Sequence, residues 1–388
     1  KDSKDSQNAI PFQIFINPKI VQKSTEAEMM DEGCLSVPQI ELPVERATKI
    51  KVSAQNLQGK IIKITATDLL ARILQHEIDH LNGLVYTEYV KEKFLHDFPE
   101  FKKARIIFFG SGDFATTICL GLILLGLNLE IITEKAKPAG RNQKLKLSPV
   151  AELAQKFNQK YYELDNFSNF PPDLSGFDLL LCSDFGKIIP ENILKTAKKA
   201  INIHPSLLPK YRGATPIQNA ILNGDKTTGV SLIKMAAEID QGPVIAQAKM
   251  KIEIDDNALS LEKRLSTLAM KLIYGVLPKI INNKLLETPQ DETKTSLTRK
   301  FKKTDGEINW QMPPAEIERK IRAFHPWPGS YTFLGEKRLI IHQAHLEGSK
   351  LVLDKVQLEG KNPVSWKEFL RGYHGPKPEW MEKIENRK

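Results

Sequence analysis

At 388 residues the chain is too long for one typical hydrophobic core, so we expect two or three domains. Its content of 41% hydrophobic and 27% charged residues is that of a soluble globular protein, and no apolar run is long enough to span a bilayer, which excludes a membrane partner. The net charge of +9 favours a polyanionic partner, without distinguishing nucleic acid from a small phosphorylated ligand.

The cysteine content and the first residues bear on where the protein works. Three cysteines are too few, and odd in number, for a disulfide framework, which favours the reducing cytoplasm. The sequence begins at Lys1 with neither an initiator Met nor a signal-like hydrophobic segment. We therefore expect a cytoplasmic protein with further sequence upstream.

The first chemically informative segment is a predicted helix from Asp68 to Leu81 that contains the sequence HEIDH. His76 and His80 share one face of this helix, with Glu77 beside them. This is the H-E-x-x-H arrangement, in which two imidazoles hold a metal ion and the carboxylate serves as a base. A charged helix face that happens to carry two histidines is the less favoured alternative. Upstream, Cys34 is a candidate third ligand that would leave a fourth position open.

The runs EGCLSVP and HEIDHLNG resemble the metal-binding motifs of the peptide deformylases. The resemblance implies a deformylase-like α+β domain over residues 1–100, which binds Fe²⁺ or Zn²⁺ and removes formyl groups from nascent chains on the ribosome. It assigns the metal to Cys34, His76 and His80, acid–base chemistry to Glu77, and an oxyanion contact to the backbone N–H of Leu35.

One deformylase motif has no counterpart here. Deformylases carry an upstream glycine-rich motif ending in Gln, which builds the cleft and donates to the oxyanion, and nothing in Lys1–Pro11 matches it. We therefore expect this chain to bind one metal ion but to have little deformylase activity. A non-catalytic metal-binding module that docks the enzyme to a partner remains the alternative.

A second globular region begins with a predicted buried strand, Arg105–Phe109, followed by Gly110-Ser111-Gly112. The third glycine of a dinucleotide fingerprint is missing, so we predict an ordinary strand-to-helix turn and no NAD. After the next strand, Glu130–Thr133, the loop from Glu134 to Leu147 is rich in Lys and Arg. A solvated basic loop and a nucleic-acid contact are both compatible with that composition.

The most specific segment begins with the short strand Ala200–His204. Asn202 and His204 point to one face of that strand, and loops after the carboxyl ends of strands in α/β sheets bind ligands. Asp240, in Asp-Gln-Gly, adds a carboxylate that can orient the imidazole. An amide donor, an imidazole and a carboxylate are the groups that acyl transfer requires. On its own, a histidine beside a strand end is more often structural.

Asn202-Ile203-His204, the SLLP run after it and the Asp-x-Gly at Asp240 resemble the 10-formyltetrahydrofolate-dependent formyltransferases. Over residues 104–373 the chain is similar to the methionyl-tRNA formyltransferases. The resemblance implies transfer of the formyl group from 10-formyltetrahydrofolate to methionine on initiator tRNA, without a metal, by the catalytic residues Asn202, His204 and Asp240.

The same resemblance assigns the binding residues. It places the folate against Ser206, Leu207, Leu208 and Pro209, and the tRNA against Arg141, Lys144 and Lys146. An enzyme of the same fold that acts on a sugar nucleotide is the alternative, and the basic loop and the deformylase-like part argue against it.

The resemblance also implies a multidomain α+β and α/β architecture. We expect a Rossmann-like catalytic domain over residues 104–282 and a polar linker over 283–298. A small OB-like β-barrel that binds tRNA follows over 299–373, and a loose tail over 374–388.

Overall fold

The computed structural model describes residues 13–139, 144–171, 174–376 and 378–381. The chain forms two compact units. The first comprises residues 1–103 and 121–128, and the second comprises residues 104–120 and 129–388. None of the helices in these described ranges is long and apolar enough to cross a membrane.

The first unit contains two antiparallel sheets and two helices. A three-stranded sheet has the order β1-β4-β5, and β2 pairs with β3. The strands are β1 (Ile16–Lys23), β2 (Ala27–Cys34), β3 (Val37–Ala47), β4 (Lys49–Gln55) and β5 (Ile61–Thr67), and the helices are α1 (Asp68–Leu81) and α2 (Tyr86–Asp97).

Helix α1 has the predicted bounds, because apolar residues recur at helical spacing. Ala71, Leu74 and Ile78 are buried against Val52 of β4 and its neighbours. Strand β1 begins at Ile16 and runs through Pro18. An edge strand tolerates proline because its outer side needs no ladder donor, and β1 lies at the edge of its sheet.

The second unit is built on a seven-stranded sheet of order β10-β7-β6-β11-β12-β14-β15. Strands β6, β11 and β12 run parallel, whereas β14 and β15 are antiparallel to their neighbours. The strands are β6 (Arg105–Gly110), β7 (Asn128–Glu134), β10 (Tyr161–Leu164), β11 (Leu179–Ser183), β12 (Ala200–His204), β14 (Thr227–Lys234) and β15 (Val244–Lys251). Four short strands lie outside this sheet: β8 (Lys137–Ala139), β9 (Lys144–Lys146), β13 (Arg212–Gly213) and β16 (Leu297–Thr298).

The strand order reverses beside β6, which has β7 on one side and β11 on the other. Ligands of open α/β sheets bind at such a switch point, outside the carboxyl ends of the strands. At this end Gly112 approaches Asp184 so closely that a Cβ on the glycine would lie 1.8 Å from Oδ2 of the aspartate. A side chain at position 112 would clash with Asp184, which accounts for the glycine in this turn.

The helices of this region are α3 (Asp113–Leu124), α4 (Pro149–Lys156), α5 (Glu191–Leu194), α6 (Pro216–Leu222) and α7 (Ala258–Ile281). Helix α7 begins with a capping box. Asn257 and Ser260 each accept a hydrogen bond from the other's backbone N–H at 3.0 Å.

The C-terminal part contains helix α8 (Pro314–Ala323), the antiparallel strands β17 (Ser330–Leu334), β18 (Lys337–Glu347), β19 (Lys350–Leu358) and β20 (Val364–Ser365), and helix α9 (Trp366–Gly372). The sheet order is β17-β18-β19-β20. The predicted β-rich C-terminal part is thus present, and within the described residues no pairing closes this sheet into a barrel.

The segment predicted to be a loose tail contributes to this C-terminal core. Trp380 stacks on Trp310 with a centroid distance of 4.5 Å, and Met381 is fully buried. The aromatic surface of the tail is thereby removed from water, which explains why residues 378–381 are not a free end.

Candidate active site and metal centre

Strand β12 and a turn after β14 build the first candidate site. Asn202 and His204 lie on β12, and Asp240 lies in the turn with a left-handed φ of 56°. Two residues later, Gly242 passes so close to Lys234 that a Cβ would lie 1.7 Å from its carbonyl oxygen. The Asp-x-Gly sequence therefore reflects a tight backbone turn as well as the carboxylate that it presents.

The structure brings the three predicted catalytic residues together. Asn202 Nδ2 donates to Asp240 Oδ1 at 2.9 Å, and the backbone N–H of Gly213 donates to Oδ2 at 2.8 Å. His204 Nδ1 lies 3.5 Å from Asp240 Oδ2, and these two side chains are 5% and 8% exposed. The carboxylate is thus held from two sides and faces the imidazole.

A second contact determines where His204 carries its hydrogen. His204 Nε2 lies 2.9 Å from the carbonyl oxygen of Tyr211. Because a carbonyl only accepts, Nε2 must carry a hydrogen, and in the neutral ring Nδ1 is then an unprotonated acceptor. One additional proton, shared between Nδ1 and the Asp240 carboxylate, would satisfy both atoms. The pair is therefore arranged to take up a proton.

The four residues predicted to contact folate divide into two groups. Ser206 and Leu208 are buried, and the hydroxyl of Ser206 donates to the carbonyl of Lys210 at 2.6 Å. Leu207 and Pro209 are half-buried and are the side chains of this run that retain exposed surface.

Two residues that sequence reasoning missed hold the SLLP loop. Ser231 Oγ accepts from the backbone N–H of Leu208 at 3.0 Å, and Gln247 Nε2 donates to the Leu208 carbonyl at 2.9 Å. Nothing in the sequence distinguishes these two residues from other polar strand residues.

The segment 283–298, predicted to be a linker, is anchored beside this site. Its strand β16 pairs in parallel with β13, with Leu297 opposite Arg212 and Thr298 opposite Gly213. The backbone N–H of Tyr211 donates to Ser296 Oγ at 2.9 Å, and that of Arg212 donates to the Ser296 carbonyl at 2.9 Å. The polar composition of this segment therefore reflects hydrogen bonds to Tyr211 and Arg212 and not a free tether.

Of the predicted tRNA-binding residues, Lys144 and Lys146 are exposed on β9, which forms a hairpin with β8. Lys137 on β8 pairs with Glu134 at 2.6 Å. Arg141 lies outside the described residues.

A group of carboxylates lies near the carboxyl end of β11. Removal from bulk water, and then the negative charges of Asp113 and Glu134, raise the pKa of Asp184 to about 6. Removal from bulk water, and then the charges of Asp184 and Asp113, raise the pKa of Glu262 to about 7. The folded protein therefore binds these protons more tightly than the unfolded chain does.

We expect Glu262→Gln to raise the melting temperature more at pH 8 than at pH 5. The folded pKa of Glu262 lies above its ordinary value of 4.5, so its stabilising contribution is complete below pH 4.5 and is lost as pH rises to about 7. Glutamine does not ionise, so the Glu262→Gln protein should not lose this stability as the pH rises. Melting curves of both proteins at the two pH values test this, with Glu316→Gln on the exposed face of α8 as the control. Equal shifts at both pH values would contradict the expectation.

The second candidate site lies in the first unit. Cys34 ends β2, and His76 and His80 project from one face of α1. Cys34 Sγ is 3.2 Å from His80 Nε2, which is 3.1 Å from His76 Nε2, and the possible ligand atoms of all three lie within 4.8 Å of one another. A thiolate and two imidazole nitrogens converging on one point fit Zn²⁺ or Fe²⁺.

The outer nitrogens of both imidazoles are held by other groups. His76 Nδ1 lies 3.1 Å from Glu32 Oε2, and His80 Nδ1 lies 3.2 Å from the carbonyl oxygen of Leu84. Acceptors at Nδ1 fix the ring orientation and direct Nε2 toward Cys34. Sequence reasoning missed Glu32, although it belongs to the EGCLSVP motif. Residue spacing does not reveal that β2 and α1 lie next to each other in the fold.

Glu32 is itself held by buried arginines. Arg46 donates to it through Nε at 3.0 Å and Nη2 at 2.9 Å, and Arg72 donates through Nη1 at 2.7 Å. Arg46 also donates to Asp79 on α1. Burial would raise the pKa of Glu32, but hydrogen bonds from Arg46, His76 and Arg72 outweigh it and lower that pKa. Glu32 therefore stays ionised behind His76.

The thiol of Cys34 is readily ionised in this setting. Burial opposes ionisation, but hydrogen bonds from the Ser36 backbone, His76 and His80 lower the pKa of Cys34 to about 7. Glu77 is exposed beside His76, and Leu35 is fully exposed in the turn after β2.

Comparison with known proteins assigns a family to each successive part of the chain. Family models match it in three consecutive parts: polypeptide deformylase over residues 1–94, formyl transferase over 104–277, and formyl transferase C-terminal domain over 300–351. A methionyl-tRNA formyltransferase of Staphylococcus aureus strain MW2 is 35% identical over 254 residues, which are 62% of this chain and 79% of that protein.

Solved structures share the fold at lower identity. An N-formyltransferase from Helicobacter canadensis, in complex with folinic acid and dTDP-3-aminofucose, aligns with a TM-score of 0.51 and 20% identity over 68% of this chain and 98% of that one. A sugar N-formyltransferase from Shewanella gives a TM-score of 0.50 and 16% identity over 63% and 99%. The family models and the 35% identity to the Staphylococcus aureus protein define a formyltransferase enzyme. The chain belongs to the methionyl-tRNA formyltransferase family, with a deformylase-like part before the transferase.

Proposed function

We propose that the second unit transfers the formyl group of 10-formyltetrahydrofolate to the amino group of methionyl initiator tRNA, in the cytoplasm, for translation initiation. The observation that carries the proposal is the convergence of Asn202, His204 and Asp240 at the carboxyl end of β12. The identity to a methionyl-tRNA formyltransferase supports the choice of acceptor. The folate donor is supported by the folinic acid bound to the Helicobacter canadensis enzyme.

In the proposed reaction the methionine amine attacks the formyl carbon, and a C–N bond forms as the bond from that carbon to the folate nitrogen breaks. Asn202 uses one amide hydrogen on Asp240 and has a second, which can donate to the developing oxyanion. The His204–Asp240 pair accepts the proton that the amine loses and returns it to the folate nitrogen. Gly213 keeps Asp240 in place throughout.

We propose that Arg141, which lies outside the described residues, and Lys144 and Lys146 on β9 contact tRNA phosphates. The double substitution Lys144→Ala and Lys146→Ala should weaken tRNA binding. Each phosphate contact releases counterions from the tRNA when it forms, so each lost contact reduces the number of counterions released. We expect log affinity to fall less steeply with log salt concentration, by about one unit of slope for each contact. Titrations at several salt concentrations measure the slope. Lys91→Ala on α2 is the control, and an unchanged slope in the double variant would show the hairpin to be merely solvated.

The acceptor is tested by offering the enzyme two substrates. With 10-formyltetrahydrofolate as donor, we expect kcat/KM for methionyl initiator tRNA to exceed that for dTDP-3-aminofucose by about 10³ or more, since a site that binds one acceptor's polar groups rejects an acceptor without them. A larger kcat/KM for the aminosugar nucleotide would identify a sugar formyltransferase instead.

For the first unit we propose a site for one Fe²⁺ or Zn²⁺ ion on Cys34, His76 and His80. A bound ion of this kind polarises carbonyl oxygens and lowers the pKa of bound water. In this proposal Glu77, which is exposed next to His76 in the sequence, would move a proton, and the Leu35 backbone N–H would donate to an oxyanion. A non-catalytic docking role, for example toward the ribosome, is the alternative. Deformylation of formyl-Met peptides by the full chain distinguishes the two roles.

A further inference from the structure

We propose that Gln290 is a positioning residue for formyl transfer, and that its side-chain amide holds the two loops on either side of the His204–Asp240 pair. Gln290 lies in the segment predicted to be a linker, and its side chain reaches the turn that carries Asp240. The inference rests on the proposed transfer site.

Both hydrogens of the Gln290 amide are used on that turn. Nε2 donates to the backbone carbonyls of Asp240 and Gly242, each at 2.7 Å. The residues of the turn from 236 to 239 are exposed, so little apolar packing holds it. Asp240 also has a left-handed φ of 56°, which a residue with a side chain adopts only at a cost. Hydrogen bonds from Gln290 to the main chain of the turn therefore add to those that the Asp240 carboxylate accepts from Asn202 and Gly213.

The amide oxygen is used on the opposite loop. Gln290 Oε1 accepts from Arg212 Nε at 3.1 Å and from Arg212 Nη2 at 2.9 Å. Arg212 is 3% exposed, and its guanidinium also donates to both carboxylate oxygens of Glu292, at 2.9 and 2.7 Å. The buried guanidinium is thus neutralised by one residue of the segment and oriented by another.

Arg212 lies between the two backbone groups that hold the catalytic pair. Before it, the carbonyl of Tyr211 contacts His204 Nε2 at 2.9 Å, and after it, the N–H of Gly213 donates to Asp240 Oδ2 at 2.8 Å. The side-chain amide of Gln290 therefore links the main chain of Asp240 to Arg212. The residues on either side of Arg212 in turn hold His204 and the Asp240 carboxylate. A shift of either loop changes the separation of Nδ1 and Oδ2, which is 3.5 Å.

Two substitutions of Gln290 distinguish a role in positioning the catalytic pair from a role in the stability of the whole fold. Gln290→Glu has nearly the same shape, but its carboxylate cannot donate to the two carbonyls while it still accepts from Arg212. Gln290→Ala removes both functions. Lys294→Ala is the matched control, because Lys294 lies on the same segment and pairs only with Asp291 among the contacts described for it.

We expect both Gln290 variants to lower kcat by about 10–100-fold with little change in KM, since small misplacements of reacting groups are costly. The pH profile of kcat should shift, because the contact between His204 and Asp240 changes. Lys294→Ala should behave as wild type. A merely structural role would reduce the amount of folded enzyme but leave kcat per folded molecule and the pH profile unchanged.

Asp240→Asn is measured in parallel, so that failure of the positioning role can be distinguished from failure of the proposed transfer site. If Asp240→Asn is inactive while Gln290→Glu, folded by circular dichroism, keeps the wild-type kcat and pH profile, the positioning role is refuted and the transfer site stands. If Asp240→Asn also keeps full activity, the proposed transfer site itself is wrong. If Gln290→Ala does not fold, Gln290→Glu decides.

Discussion

Asp240→Asn is expected to lower kcat/KM for formyl transfer by about 10²–10⁴, although asparagine is almost the same size. The uncharged amide cannot stabilise a protonated His204 ring, whose Nδ1 lies 3.5 Å from Oδ2. It also changes the hydrogen bonding, because an Asn NH₂ at the position of either oxygen meets a donor from Gly213 or Asn202. Steady-state transfer from 10-formyltetrahydrofolate to methionyl-tRNA measures the loss.

Asp178→Asn is the matched control for this substitution. Its carboxylate accepts from the backbone N–H of Arg105 at 3.0 Å and pairs with Lys198, at the amino end of β11 and away from the transfer site. The control should keep wild-type kcat/KM. Wild-type turnover by Asp240→Asn would remove Asp240, and with it the proton-accepting pair, from the mechanism.

Cys34→Ser is expected to remove most of the metal from the first unit, which should otherwise bind about one equivalent of Zn²⁺ or Fe²⁺. Serine is a poor replacement for a thiolate as a ligand for these ions. Glu32→Gln should weaken metal affinity by about 10–100-fold, because the outer nitrogen of His76 loses a charged acceptor. Metal analysis after dialysis against competing chelators measures both effects.

His96→Ala is the control, since His96 is an exposed histidine at the end of α2. Equal metal content in Cys34→Ser and wild type would show that the ligand set is wrong.

The sequence was most informative where short-range spacing determines geometry. The four-residue separation of His76 and His80 places both on one face of α1, and the alternation of β12 places Asn202 and His204 on one face of the strand. Each pair therefore follows from the secondary structure alone. Cys34 and Asp240 were candidates by residue type alone, and the family resemblance supported their assignment, because each approaches its partners through the tertiary fold.

The residues that support these groups could not be predicted from the sequence. Glu32 contacts His76 across 44 positions of the chain, and Gln290 contacts Asp240 across 50. Such contacts depend on which strands and loops face one another. The segment around Gln290 was predicted to be a linker because it is polar, but its polar side chains are hydrogen-bonded to the catalytic stretch. Trp380, in the predicted tail, was misjudged because its stacking partner Trp310 lies in a distant part of the chain.

The most direct test of the account is a single-turnover assay of the full chain with labelled 10-formyltetrahydrofolate and methionyl initiator tRNA, run with wild type, His204→Ala and Cys34→Ser. The account predicts labelled formyl-methionyl-tRNA from wild type and from Cys34→Ser at comparable rates, and a rate lower by about 10² or more from His204→Ala. Undiminished transfer by His204→Ala, or no transfer by the wild-type chain, would contradict it.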